Sequence, residues 1–300
     1  MVFCRSMLPI FVLLAVVSAV VAIPSPPLSN TGLNSSRTLH EYRASFKHKY
    51  VVRSGAIHDS NPSEASITVD ATQHVSATAH EKAALIVSLM TRHMPYDVFH
   101  GLTRSHGVGV FTTSDKLTAF PENANLADTA ACRGTCSGSC SHTCTFDGRK
   151  YETLAALSNS RSVVVDHNVL CDSHDGYHHQ ENLLVHEFGH LTMAYMPSTW
   201  RNKIIAAYNH AKANRLWTLN TYAMANHDEY WAEATSSFFM SIRRTDVTGG
   251  MDMCGTSQPC PSEQASRNYI RHHDPQLYAA LSYAYTNNSP QTASHLKPCQ

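Results

Sequence analysis

The spacing of apolar and polar positions along the chain predicts five helices and two short strands. Apolar residues recur at helical spacing in five segments, because positions three and four residues apart share one face of a helix. The predicted helices are residues 77–94, 181–195, 200–216, 228–243 and 275–285. Residues 107–120 alternate as in a strand with a turn, and residues 162–166 form a short β-branched run. We therefore expect an α+β fold, mostly helical, with a small sheet beside the helix at 181–195.

An apolar run near the N-terminus predicts export. It covers residues 7–21, follows Arg5, ends at the small residue Ala22 and precedes a Pro-rich stretch, which is the pattern of a cleaved signal peptide. A membrane anchor is the alternative, but the run is short for a bilayer and no basic cluster follows it. We expect a secreted, extracellular chain without stable membrane insertion. Its predicted divisions are a signal peptide at 1–22, a polar linker or propeptide at 23–75, a folded domain at 76–290 and a C-terminal tail at 291–300.

Cysteine content agrees with export. Removal of the signal takes away Cys4 and leaves eight of the nine cysteines, an even number that favours disulfides in a secreted chain. Four of them recur at every fourth residue: Cys132, Cys136, Cys140 and Cys144. A thiolate zinc site is the alternative, but an oxidising compartment and the absence of paired C-x2-C spacing favour disulfides. Two sequons, which begin at Asn34 and Asn287, predict a glycoprotein.

The charge pattern gives no sign of a nucleic-acid partner. The 23 basic residues balance 23 acidic ones, and no block of Lys or Arg stands out. Binding to nucleic acid or to an anionic membrane surface needs such a basic patch. The expected partners are therefore peptides or proteins. The chain also contains 20 histidines, so no single histidine carries weight without its context.

The strongest chemical motif is His-Glu-Phe-Gly-His at residues 186–190, within the apolar helix predicted at 181–195. Positions i and i+4 of a helix face the same way, so the imidazoles of His186 and His190 can reach one zinc ion. Glu187 lies beside the first ligand and can take a proton from the metal-bound water as that water attacks a carbonyl. The motif therefore predicts a catalytic zinc centre.

A third protein ligand must come from elsewhere, since a catalytic zinc holds three protein ligands and a water. Met193 and Met196 occupy the positions at which a metzincin has glycine and histidine, so the metzincin arrangement is excluded. The gluzincin arrangement remains, in which the third ligand is a glutamate from a later helix. Glu229 and Glu233 are one turn apart and share a helix face. Their apolar neighbours indicate burial, and buried carboxylates need cationic or metal partners. One can bind the metal while the other orients a ligand histidine, with His227 and Asp228 as competing third ligands.

The order of these residues resembles a known family. Tyr222, followed seven residues later by Glu229 and then Tyr-Trp-Ala-Glu-Ala, looks like the catalytic domain of anthrax lethal factor and its relatives, which are gluzincin zinc metallopeptidases. The likeness is clearest over residues 182–239, with a weaker echo near Ala77 and at residues 274–275. This chain departs from the family in its own signal peptide, in an inserted Cys-rich loop and in having no large receptor-binding domain. Toxin activity and its substrates are therefore not carried over.

The resemblance implies a zincin-like fold and a role for each site residue. Glu229 would be the third ligand of a single zinc ion per chain, and Glu233 would accept a hydrogen bond from a ligand histidine. Tyr222 would donate its hydroxyl to the oxyanion that forms at the scissile carbonyl. On spacing alone Tyr222 is equally a core aromatic, so its role depends on the resemblance. The family also places a strand beside the cleft for an extended substrate, and residues 162–166 are the candidate here.

These features together predict a secreted zinc-dependent metalloendopeptidase in which Glu187 activates a zinc-bound water. The alternatives are a secreted zinc-binding protein with little turnover and a zinc hydrolase that acts on a substrate other than a peptide. Glu187 argues against the first alternative, because a structural site has no need of a carboxylate aimed at an open coordination position. The polar segment at 23–75 is expected to inhibit the enzyme if it is a propeptide.

Overall fold

A six-stranded mixed sheet lies beside the helices in the computed structural model, which describes residues 46–145, 148–289 and 292–300. The strands are β1 (Phe46–Val52), β2 (Ile57–His58), β3 (Ser66–Thr72), β4 (Val108–Phe111), β5 (Ala156–Ser158) and β6 (Ser162–Val165). They are arranged in the order β2-β1-β3-β4-β6-β5. The central pairs β3–β4 and β4–β6 are parallel, and the outer pairs are antiparallel. The fold is therefore mixed α and β, as the sequence predicts.

Eight α-helices supply most of the remaining structure in the described residues. They are α1 (Ala77–Thr91), α2 (Tyr96–Leu102), α3 (Asp166–Leu170), α4 (Leu183–Tyr195), α5 (Ser198–Asn214), α6 (His227–Phe238), α7 (Glu263–His273) and α8 (Pro275–Thr286). All five predicted helices are present, as α1, α4, α5, α6 and α8. Helix α6 ends before the predicted residue 243, because the backbone turns at Met240, whose φ is 54°. Helices α2, α3 and α7 are not predicted from the spacing of apolar residues.

The three strands β1, β2 and β3 lie where the sequence analysis expects a linker or propeptide. Strand β1 pairs with β3 along its full length, and Val51, Ile67 and Val69 are buried in the main core. The half-buried positions of β1 carry Lys and His side chains, so the composition of this segment is polar although part of the strand is buried. The linker interpretation is therefore wrong for residues 46–72, which belong to the folded body. The signal segment, Cys4 and the sequon at Asn34 lie outside the described residues.

Helices α4 and α6 pack closely because Gly189 faces α6. A Cβ atom at Gly189 would lie 3.2 Å from the Thr235 side chain and 3.3 Å from the backbone of Ala232. The indole of Trp231 donates a hydrogen bond to the Gly189 carbonyl at 2.9 Å. A larger residue at 189 would push the two helices apart. The glycine in the middle of the motif thus fixes the distance between the two helices that carry the candidate ligands.

All eight cysteines in the described residues are paired. The disulfides are Cys132–Cys140, Cys136–Cys144, Cys171–Cys299 and Cys254–Cys260. The preference for disulfides over a thiolate zinc site is confirmed. The Cys171–Cys299 bridge also fastens the predicted tail to the body, where Leu296 is buried and Lys82 donates to the Gln300 carbonyl at 2.7 Å.

Among the described residues, none of the helices combines the length and the apolar character that a membrane crossing requires. The sequon residue Asn287 is exposed directly after α8. Glycosylation at this position stays a prediction.

We predict that Gly109→Ala destabilises the fold. Gly109 lies in the central strand β4, and an added Cβ would come within 2.5 Å of the Phe120 ring, which stacks on Phe46. Overpacking of this kind costs about 1–3 kcal/mol. Gly176→Ala is the matched control, since Gly176 is exposed and a Cβ there meets nothing within 4 Å. Urea unfolding with intact disulfides should show a lower midpoint for Gly109→Ala alone; equal midpoints would contradict the prediction.

Candidate metal centre

Two capped helices deliver the candidate ligands. The Asn182 side chain caps α4 by accepting a hydrogen bond from the Val185 amide at 3.3 Å. The Asn226 side chain caps α6 by accepting from the amides of Asp228 and Glu229, each at 2.9 Å. Such caps satisfy backbone donors that the first helical turn leaves unpaired. The caps therefore fix the start of each helix close to the motif residues that it carries.

Three side chains converge between these helices. The Nε2 atoms of His186 and His190 lie 3.1 Å apart, and each lies 3.3 Å from Oε2 of Glu229. All three residues are buried. The competing third ligands lie elsewhere: His227 and Asp228 pair with each other at 3.5 Å and are only partly buried. The structure thus brings together the set that the sequence analysis named.

The donor set fits a zinc ion. Zinc bonds of about 2.0–2.1 Å in tetrahedral geometry place neighbouring ligand atoms roughly 3.3 Å apart, close to the separations found here. Oε1 of Glu229 is buried without a hydrogen-bond partner within the described part of the chain, whereas Oε2 faces the two imidazoles. A buried carboxylate needs positive charge close to it, and a metal ion at this position would supply that charge. His186, His190 and Glu229 are therefore the residues that could hold the metal.

A second layer of charged groups surrounds His186. Oε1 of Glu233 lies 3.4 Å from Nδ1 of His186, on the side of the ring away from Glu229. Glu181 also approaches this nitrogen, at 4.0 Å, and accepts a hydrogen bond from Arg244 at 3.2 Å. A carboxylate at this position orients a ligand imidazole and raises its basicity. The sequence analysis named Glu233 but missed Glu181 and Arg244, since neither belongs to a recognisable spacing.

Burial and close charges shift the pKa values of the cluster. Burial is the largest effect at Glu187 and raises the pKa of its carboxyl to about 7, although the two histidines lower it. At His186 burial lowers the pKa, but Glu229 and Glu233 outweigh burial and raise it to about 10. At Glu229 burial raises the pKa, but the histidines outweigh it and lower the value to about 2. The cluster therefore favours positive charge next to an ionised Glu229.

Glu187 and Tyr222 border a cavity of about 240 Å³. His186, Glu233 and Arg244 line the same cavity. The Glu187 carboxyl is buried, and its Oε2 has no hydrogen-bond partner among the residues described. The rings of Tyr222 and His186 stack with their centroids 6.2 Å apart. A substrate group that enters this cavity would therefore meet the Glu187 carboxyl, the Tyr222 ring and one candidate ligand, His186.

The strand that borders the cavity is β5 rather than β6. The sequence analysis placed the cleft strand at residues 162–166, but β6 is paired on both sides, with β4 and with β5. Strand β5 is the outermost strand of the described sheet, and Ala156 lines the cavity. An extended peptide can add only to an edge with available backbone groups. The earlier assignment is therefore wrong, although Ser162 does contact the site by donating to the Glu187 carbonyl at 2.8 Å.

Comparisons with known proteins do not assign the chain to a family. Neither a protein-family model nor a curated protein matches the chain. Among solved structures, the chain is similar to the Pro-Pro endopeptidase PPEP-2 from Paenibacillus alvei, with 19% identity and a TM-score of 0.42. The match covers 71% of this chain and 95% of that chain. A likeness at this level carries no argument, so the functional case depends on the geometry, and the resemblance to anthrax lethal factor stays a prediction.

We predict that Glu229→Gln abolishes tight zinc binding and that Asp228→Asn does not. A neutral amide at 229 removes the anionic ligand between the two imidazoles. The loss of affinity should exceed the roughly 10–100-fold effect of losing an outer partner of a ligand. Competition with a chromophoric chelator measures both variants. Weaker zinc binding by Asp228→Asn with unchanged binding by Glu229→Gln would reassign the third ligand.

Proposed function

We propose that the chain is a secreted zinc-dependent metalloendopeptidase. The observation that carries the proposal is the convergence of His186, His190 and Glu229 with the buried carboxyl of Glu187 beside them. Three protein ligands and an adjacent carboxyl are the parts that a catalytic zinc site needs, whereas a structural site usually closes with a fourth protein ligand. The pairing of all described cysteines supports an oxidising, extracellular location.

Each residue has a distinct role in this proposal. A zinc ion held by the three ligands would polarise the scissile carbonyl and lower the pKa of a water molecule. Glu187 accepts the proton of the attacking water and passes it to the leaving amine, for which a pKa raised to about 7 is suitable. Glu233 holds the ring of His186 in place through Nδ1. Tyr222, at the cavity wall, donates its hydroxyl to the oxyanion.

The substrate in this proposal is a peptide or protein in extended form. Strand β5 lies at the sheet edge next to the cavity, and Leu154 and Ala155 continue the cavity wall ahead of it. A peptide that pairs with this edge has its carbonyls aligned along the strand, so that one of them can be brought to the ligands. Main-chain pairing gives affinity without demanding a particular side chain.

We predict that Glu187→Gln abolishes peptide cleavage and retains zinc. The amide keeps the size of the side chain but cannot accept the proton, so the rate should fall by about 10²–10⁴-fold. Zinc content and cleavage of a mixed peptide library are measured together on both proteins. Glu64→Gln serves as the control, because Glu64 is exposed and lies in the loop before β3.

The outcomes of that experiment separate the functional classes. Zinc in both proteins with cleavage by the parent alone supports the endopeptidase. Full cleavage by Glu187→Gln would remove Glu187 as the base. Zinc in both proteins without any cleaved peptide would favour the binding protein or the hydrolase with another substrate.

We predict that Tyr222→Phe lowers kcat and leaves KM nearly unchanged. The hydroxyl acts only on the charge that develops during the reaction, so its loss should reduce kcat by roughly 10²–10³-fold. Tyr96→Phe is the matched control, since Tyr96 is 65% exposed and does not line the cavity. Steady-state kinetics on a cleaved peptide measures both variants. An unchanged kcat for Tyr222→Phe would make this residue a core aromatic.

A further inference from the structure

A second cluster of metal-binding side chains lies between strand β6 and helix α4. His167 belongs to the short helix α3, and Asp172 and His174 follow in the next loop. Two imidazoles and one carboxylate are donors that bind zinc and related divalent ions. None of the three residues contributes to the centre formed by α4 and α6. The cluster is therefore separate from the candidate centre of the proposed reaction.

Asp172 lies between the two imidazoles of this cluster. Its Oδ2 is 2.7 Å from Nδ1 of His167, and its Oδ1 is 3.6 Å from Nδ1 of His174. One ligand atom of each residue lies within 4.8 Å of the other two. This spread is wider than the roughly 3.3 Å of tetrahedral zinc ligands. The side chain of His174 is 74% exposed, so a small rotation can bring it to an ion held by the other two.

The backbone around the cluster is fixed by several contacts. The amide of His174 donates to Oδ1 of Asp172 at 2.8 Å, and Nε2 of His179 lies 2.9 Å from the Asp172 carbonyl oxygen. Cys171, directly before Asp172, is bonded to Cys299. A loop whose backbone is already ordered loses less conformational freedom when its side chains bind an ion.

An unpaired carboxylate oxygen adds negative charge beside the cluster. Asp166 begins α3 and is 8% exposed, and its Oδ1 has no hydrogen-bond partner in the described part of the chain. Its carboxyl interacts electrostatically with both His167 and Asp172. Two carboxylates beside two imidazoles attract a cation, and a buried unpaired oxygen strengthens that attraction.

Hydrogen bonds from the residue next to His167 link the cluster to the start of α4. The Asn168 side chain, next to His167, donates to the Glu181 carbonyl at 2.9 Å and accepts from the Leu183 amide at 2.9 Å. Glu181 contacts His186 in the first centre. An ion that ties His167 to the following loop would therefore stabilise the turn on which the N-terminal end of α4 rests.

We propose that His167, Asp172 and His174 form a second metal site, which binds a divalent transition-metal ion such as zinc and stabilises the segment leading into α4. The coordination is completed by solvent, because the side chains of His167 and Asp172 are 30% and 33% exposed. This site is structural, since its ligands are partly exposed and solvent screens the charge of an ion bound there. The proposal does not depend on the proposed function.

Zinc counting on full-length secreted protein tests the second site. The protein is dialysed against buffered micromolar free zinc, and bound metal is measured by mass spectrometry. Two independent sites predict about two zinc ions per parent chain, about one for His174→Ala, about one for His190→Ala and none for the double variant. In His190→Ala, added zinc should raise the melting temperature, and the additional change His174→Ala should remove that rise.

His178→Asn is the matched control, because His178 is exposed in the same loop and lies outside the cluster. Asparagine suits its φ of 52°, and this variant should keep both zinc ions. About one zinc in the parent and none in His190→Ala would overturn the second site while leaving the proposed function intact. About one zinc in both the parent and His190→Ala, and none in His174→Ala, would support the second site and refute the first. Peptide cleavage by His174→Ala should equal that of the parent in either case.

Discussion

The burial of many charged groups between α4 and α6 is the constraint on which the rest of the structure depends. Four carboxyl groups and two imidazoles are buried together, namely Glu181, Glu187, Glu229, Glu233, His186 and His190. The partly exposed Arg244 pairs with Glu181 at their border. Charges removed from water must be compensated locally, or the fold loses several kcal/mol for each of them. The close packing at Gly189 and the two asparagine caps keep the opposite charges within reach of one another. A shift of one helix along the other would leave carboxylates without partners.

The same balance explains why the cluster suits a divalent ion. The pKa of His186 is raised by the carboxylates around it, and a divalent cation at the same place would supply the positive charge in place of that proton. The raised pKa of His186 and the lowered pKa of Glu229 both show that positive charge is favoured between these two side chains. Metal binding and proton release are therefore coupled in such a centre. Arg244 neutralises Glu181 separately and leaves Glu233 to interact with His186.

Local spacing made part of this centre predictable from the sequence. His186, His190 and Glu229 follow from helical periodicity and from the chemistry of a three-ligand site, and the structure places them together. Glu181 and Arg244 could not be predicted, because they meet His186 only through contacts between distant segments. The sheet shows the same limit. Strand β1 carries polar side chains at half-buried positions, so its sequence does not indicate a buried strand. The edge position of β5 depends on pairing between distant segments, which no local pattern encodes.

Two imidazoles and a carboxylate come together at two places in the described part of the chain, and the surroundings of the two sets differ. Around His190 the low dielectric strengthens each charge, and an adjacent buried carboxyl has its pKa raised into the range useful for proton transfer. Around His174 water screens the charges, so a bound ion there gains little reactivity. It can still cross-link α3 to the loop that leads into α4. Burial, rather than the identity of the ligands, therefore distinguishes the proposed catalytic centre from the proposed structural site.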